Sequence, residues 1–225
     1  MTPQELYDIL LAAFGPQHWW PADTPFEVAV GAVLTQNTAW RNVEQAIRAL
    51  AALHALTPAG ILALPAPVLE QTVRPAGYYR VKAVYLRTLA AWVQQRAPGG
   101  LSSLAGDDAR GLRQELLGLR GIGPETADSI LVYALGKPLV TADAYTRRIG
   151  ARLGMLPEQA AYAATQEYFA RRLPADAAVL GEFHALVVRL AKEFCSKRPR
   201  CSGCPLAARC PSIVTPGIRE RSVPA

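Results

Sequence analysis

Residues 119–136 read LRGIGPETADSILVYALG. Gly121 and Gly123 bracket Ile122, and Pro124 then opens an apolar helical pattern that runs to Gly136. Proline suits a first helical position, where its missing N–H costs nothing. The residues before it, DARGLRQELLGL (108–119), space Leu112, Leu116 and Leu119 along a helix of their own. The stretch therefore predicts two helices joined by a tight turn. Its glycines let the turn's amides approach another group with no Cβ in the way. Those amides and the helix dipole would face outward together, which makes an anion site. A DNA phosphate fits such a site, and contacts made through backbone would grip any sequence. On these residues alone, an ordinary helical corner with packing glycines fits equally well.

Outward from the turn, the chain reads as helical almost throughout. PQELYDILLAAFG places Leu6, Ile9, Leu10 and Phe14 on one face before Gly15 stops it. The same periodicity continues through PFEVAVGAVLTQNT, WRNVEQAIRALAAL and RVKAVYLRTLAAWVQQR, and Pro-Gly-Gly at 98–100 breaks the last. TPAGILAL and PAPVLEQTV carry Pro where a first helical turn accepts it. No alternating run with turn dipeptides occurs, so the expected class is all-α. Loops are expected at 15–25, 73–80, 97–103, 118–124 and 136–143.

The 225 residues can bury a sizeable core, and 51% hydrophobic content argues against disorder. Every apolar run is interrupted by Pro, Arg or Asp before it could span a membrane. The acidic opening MTPQELYDILLAAFG lacks the basic start of a secretory signal, which gives a cytoplasmic, nucleoid-associated location as the expectation. A net charge of +6 favours an anionic partner.

All four cysteines lie near the end: Cys195, Cys201, Cys204 and Cys210, spaced C-x5-C-x2-C-x5-C. Thiols so placed in an intracellular chain suit a metal centre better than disulfides. Zinc and a [4Fe–4S] cluster both satisfy the spacing. The loop between the first two cysteines would present Lys197, Arg198 and Arg200 to phosphates.

GLRGIGPETADSILVYALG, then TADAYTRRIGARLG and the four-Cys run, resembles the helix-hairpin-helix DNA glycosylases of the endonuclease III superfamily over nearly the whole chain. WWPADTPFEVAVGAVLTQNTAW and RPAGYYRVKA are more similar to the 3-methyladenine DNA glycosylase III branch, while the cysteines look like the iron–sulfur loop of endonuclease III itself. The resemblance implies two helical lobes with a DNA cleft between them. Residues 23–138 would form the central lobe with the hairpin, and 1–22 with 139–225 the lobe that holds a [4Fe–4S] cluster. It implies a monomer acting on double-stranded DNA that contains a damaged base. Gly121, Ile122, Gly123 and Thr126 would line the hairpin's grip on DNA.

The chemistry implied is removal of a flipped-out base. Asp143 matches the family's aspartate, which stabilises positive charge on the sugar and orients water. An Asp at this place is also an ordinary helix N-cap. The family's usual His two residues later is Tyr145 here. Bifunctional relatives carry a Schiff-base Lys where this chain has Glu125. A monofunctional enzyme is therefore expected, with weak or absent lyase activity. Should lyase activity exist, Lys137 is the nearest amine in sequence. Trp19, Trp20 and Trp40 match the branch's base pocket, where indoles attract a cationic alkylated purine. Gln36 and Tyr78 match the residues that fill the gap left by the flipped base. Two other readings remain: an oxidised-pyrimidine glycosylase or abasic-site lyase, and a non-catalytic DNA-binding module.

Overall fold

The protein is described by a computed structural model covering residues 1–213. In chain order it contains α1 (Pro3–Phe14), α2 (Pro25–Leu34), α3 (Trp40–Ala52), α4 (Pro58–Ala63), α5 (Ala66–Thr72), α6 (Tyr79–Arg96), α7 (Ala109–Leu117), α8 (Pro124–Leu135), α9 (Ala144–Arg152), α10 (Tyr162–Ala170) and α11 (Ala177–Glu193). Short 3-10 turns occupy Arg74–Ala76, Leu101–Gly106 and Ala207–Arg209. No strand occurs among the described residues, and the fold is all-α. No helix among them is long and apolar enough to cross a membrane.

Local chemistry sets the helix starts. Thr2, Thr24 and Thr57 each cap a helix whose first residue is proline, and each hydroxyl accepts from a backbone amide three residues on. At α1 the box is complete, because the Glu5 carboxylate accepts in return from the Thr2 amide at 2.7 Å. Asp108 caps α7 by accepting from the Gly111 amide at 2.7 Å. Helix α7 ends at Leu117, short of the expected 119, because the chain turns at Gly118 to enter the hairpin. The expected loops at 73–80 and 97–103 are partly 3-10 turns.

Two compact units result. Residues 20–139 with 176–178 form one. Its centre is α2, buried on almost every side from Phe26 to Leu34 and lying against α8. Helices α4 and α5 pack on α6, and Leu112 and Leu116 of α7 join the same core. Asp128 of α8 is fully buried and takes a two-pronged ion pair from Arg113 of α7, with contacts of 2.6 and 3.1 Å. Removing one partner of such a pair costs roughly 3–5 kcal/mol, so the two hairpin helices are firmly joined.

Residues 1–19, 140–175 and 179–225 form the other unit, of which 214–225 lie outside the described residues. Its core gathers Leu6 and Leu10 of α1, Ile149 of α9, Phe169 of α10, and Leu180, Phe183, Leu186 and Leu190 of α11.

Candidate functional site

The hairpin turn runs from Gly118 to Gly123. Gly121 sits at φ +87, and a Cβ there would lie 2.2 Å from ring atoms of Tyr85. The fold itself therefore requires glycine at 121. Gly123 is different. Its φ of −89 suits any residue, and an added Cβ would meet nothing within 4 Å. Ile122 is buried. Thr126 is buried as well. Its hydroxyl accepts from Gln36 Nε2 at 3.0 Å, while the same nitrogen donates to the Gly121 carbonyl at 2.9 Å. Gln36 thus ties the end of α2 to the hairpin, and Asn37 beside it is exposed at φ +54. Glu125 stands exposed in the first turn of α8.

Tyr78 is 72% exposed and left-handed, at φ +45, immediately before α6. A non-glycine residue held there with an open aromatic ring stores strain at a place where a ring would reach outward. Beneath it, Lys82 is buried and donates at 2.8 Å to the carbonyls of both Leu34 and Ala76. Its burial pushes the amine down to about 8. Lys82 so fastens the Tyr78 segment to the end of α2, a role nothing in the local sequence signals.

The three candidate pocket tryptophans have different surroundings. Trp20, at φ +73, meets Trp40 edge-on at 5.8 Å and Tyr133 at 5.1 Å. Gly31 leaves the space for the Trp20 indole, since a Cβ there would lie 3.0 Å from its Nε1. The Trp40 indole donates to Glu44 at 3.0 Å. Trp19 belongs to the other unit, with the Lys192 ammonium 5.5 Å from its ring. Tyr133 was absent from the expected pocket because its place in α8 reads as ordinary helix.

Asp143 caps α9. Its Oδ1 accepts from the Thr146 amide at 2.7 Å and the Thr146 hydroxyl at 2.9 Å. Its Oδ2 lies 3.5 Å from Nε2 of His184, on α11. Burial pushes this carboxyl up, but the His184 imidazole and the Thr146 donors outweigh it and hold it below its ordinary value. Lys137 is buried, and its amine donates to the carbonyls of Ala105 and Asp107 at 2.6 and 2.5 Å.

The four cysteines carry no disulfide and line one cavity walled by Ile149, Leu153, Leu190, Phe194 and Leu206. Burial, with a smaller contribution from the neighbouring sulfurs, pushes the Cys204 and Cys210 thiols up. Among the described residues, no three His, Cys, Asp or Glu side chains are drawn together into a ready-made metal site. Four thiols lining one cavity are a donor set that zinc and an iron–sulfur core both accept. Arg152 holds the loop: it donates to Cys195 Sγ at 3.1 Å, the Ser196 carbonyl at 2.7 Å and the Lys197 carbonyl at 3.3 Å. Lys197, Arg198 and Arg200 are exposed, although the Arg200 guanidinium also donates to the Glu193 carbonyl.

The family model for HhH-GPD superfamily base excision DNA repair proteins matches residues 30–175. A protein named "Putative DNA repair glycosylase" from Methanocaldococcus jannaschii is 43% identical over 208 residues, covering 92% of this chain and 94% of that one. A non-covalent endonuclease III–DNA complex is similar in fold, with a TM-score of 0.80 at 24% identity over 94% of this chain and 96% of that one. The H. pylori 3-methyladenine DNA glycosylase bound to 1,N6-ethenoadenine aligns with a TM-score of 0.74 at 26% identity, over 86% of this chain and 98% of that one.

Proposed function

The chain belongs to the HhH-GPD superfamily of base excision DNA repair proteins, and on that premise we propose that it is a monofunctional DNA glycosylase for alkylated purines. Glu125 carries the reading. It stands in the first turn of α8, at the place where the lyase chemistry of the family would need an amine. A carboxylate cannot form an imine. Nor does another lysine offer itself. The amines of Lys82 and Lys137 are buried against backbone carbonyls, Lys192 lies over Trp19, and Lys197 belongs to the cysteine loop.

Water then completes the reaction. The C1′–N bond breaks, the bonding pair leaves with the base, and the sugar is left cationic. Ionised Asp143 stabilises that charge and orients a water, whose oxygen bonds to C1′ as its proton passes to solvent. A base alkylated at N3 or N7 carries positive charge until it leaves, and the electron-rich faces of Trp20, Trp40 and Tyr133 favour it over a normal base. The Glu44 carboxylate beside Trp40 adds to that preference. The 26%-identical neighbour whose title names a bound modified adenine supports the same substrate class.

The partner is double-stranded DNA with one damaged base, bound by a monomer. Gly121, Ile122, Gly123 and Thr126 contribute hairpin backbone to phosphate contacts, and Tyr78, with Gln36 beside the hairpin, fills the gap left by the flipped base. Cys195, Cys201, Cys204 and Cys210 hold a [4Fe–4S] cluster. When bound, it anchors the loop that carries Lys197, Arg198 and Arg200.

The test uses four DNA duplexes, each with a single 7-methylguanine, 1,N6-ethenoadenine, thymine glycol or uracil. Strand breaks are measured before and after hot alkali. We expect release of an alkylated purine, breaks only after alkali, and little borohydride-trapped complex. Preference for thymine glycol with breaks before alkali would make the protein an endonuclease III-like lyase. Binding without release of any base would make it a DNA-binding module.

A further inference from the structure

Asp143 divides its two oxygens between different tasks. Oδ1 is consumed by the helix cap, with two donors from Thr146 on α9. Oδ2 is the oxygen left for chemistry, and the polar group facing it is His184 from α11, at 3.5 Å. Both side chains are buried, at 6% and 7% exposure. In that setting a carboxylate is costly unless a partner favours its charge. The capping donors cannot meet this need at Oδ2, because both converge on Oδ1. The residue two places after Asp143, where the resemblance leads one to expect a histidine, is Tyr145, whose ring is taken up by the Arg148 guanidinium at 5.1 Å. His184 therefore brings an imidazole to this carboxylate from a different helix.

We propose that His184 is a positioning residue for Asp143, holding Oδ2 ionised and aimed for base release. The proposal rests on the catalytic role given to Asp143 above. His184 touches no reacting atom in this scheme and acts through the carboxylate. The polar groups facing Asp143 are Thr146 of α9 and His184 of α11, so removing the imidazole leaves the cap intact and strips support from Oδ2 alone. Because His184 helps hold this carboxyl below its ordinary value, its loss raises the pH at which Asp143 becomes protonated. The acid limb of the rate profile must then move upward.

The experiment is single-turnover base release on whichever of the four duplexes the wild type processes fastest, as a function of pH. It compares wild type, His184→Ala, His184→Gln and Asp143→Asn. Affinity for a duplex with a tetrahydrofuran abasic site and the melting temperature are measured alongside. We expect His184→Ala to lose on the order of tenfold in rate at neutral pH, and its acid limb to move to higher pH. Abasic-site affinity should stay unchanged. His184→Gln keeps an N–H near the Nε2 position and should recover part of the neutral rate while still showing the raised acid limb. If Asp143→Asn is inactive but both His184 variants keep the wild-type rate and limb, this inference alone is wrong. Failure of both His184 variants to fold would assign the imidazole to the core and overturn it equally. If Asp143→Asn is as active as wild type, or the wild type releases none of the four bases, the function proposed above falls and takes this inference with it.

Discussion

A Cβ placed on Gly121 would lie 2.2 Å from the ring of Tyr85, whereas one placed on Gly123 would touch nothing. The two glycines of one hairpin thus answer to different demands. Gly121 satisfies the fold, at φ +87 and beneath an aromatic ring. No internal contact requires Gly123 to lack a side chain, and on the function proposed above its place is to let DNA backbone come close. Gly121→Ala should lower stability by about 2–3 kcal/mol through left-handed strain and overpacking. Gly123→Ala should melt like wild type but bind DNA about tenfold more weakly, equivalent to about 1.4 kcal/mol. Thermal melts and fluorescence anisotropy on both variants separate the roles. Equal affinity of wild type and Gly123→Ala would show that DNA does not approach this turn.

Tyr78 holds a left-handed backbone that glycine adopts freely. Tyr78→Gly should therefore keep or raise stability, by up to about 1 kcal/mol. If Tyr78 fills the gap left by a flipped base, as proposed above, base release should slow nonetheless, because the exposed ring is gone. Tyr78→Phe should retain most of the rate. A Gly variant as fast as wild type would remove the wedge role.

Arg198 and Arg200 differ despite their similar exposure. Arg200 is tied to the Glu193 carbonyl, while Arg198 projects from the loop between the first two cysteines. Arg198→Ala should reduce the slope of log affinity against log salt by about 0.9, as one lost phosphate contact does on duplex DNA. The weakening should be uniform across DNA sequences. An unchanged slope would point the loop away from DNA.

The Arg152 guanidinium donates to the Cys195 sulfur and to the carbonyls of Ser196 and Lys197. Protein purified without oxygen should be brown and contain about four irons per chain, as a [4Fe–4S] core requires. Oxidative removal of iron should lower the melting temperature and the DNA affinity together, since the loop loses its anchor. Arg152→Ala should lose its visible absorbance in air faster than wild type. A colourless preparation holding one zinc ion would overturn the cluster assignment.

Lys82 supplies a pH dependence whose sign is fixed by burial. Its folded amine titrates near 8, below its ordinary 10.5, so between these values the unfolded chain binds more protons than the folded one. Stability from this group accordingly rises as pH increases through that window. Denaturant melts of wild type against Lys82→Met at pH 7.5 and 10 should show the gain only in wild type. The substitution should also loosen the Tyr78 segment, because the carbonyls of Leu34 and Ala76 lose their donor.

Much of this protein was legible as sequence. The apolar period and the absence of alternating runs establish an all-α chain, and Gly-Ile-Gly-Pro places the hairpin because only a few residue types tolerate such a turn. The four-cysteine run marks a candidate metal centre by residue type and spacing, while the choice of metal and the reading of Glu125 come only from the family resemblance. Tertiary structure decided the partnerships. Trp20 joins Trp40 and Tyr133, while its neighbour Trp19 packs in the other unit beside Lys192. Gln36 meets Gly121 across 85 residues of chain, and Lys137, the nearest amine to the hairpin in sequence, proves committed to the carbonyls of Ala105 and Asp107. His184, a buried polar residue of α11, acquires its meaning only from standing beside Asp143. The physical reason is the same in each case. Periodicity and propensity are local and report which face of a helix turns inward, but a hydrogen bond or ion pair between distant residues depends on how helices cross, and no short window of sequence carries that information.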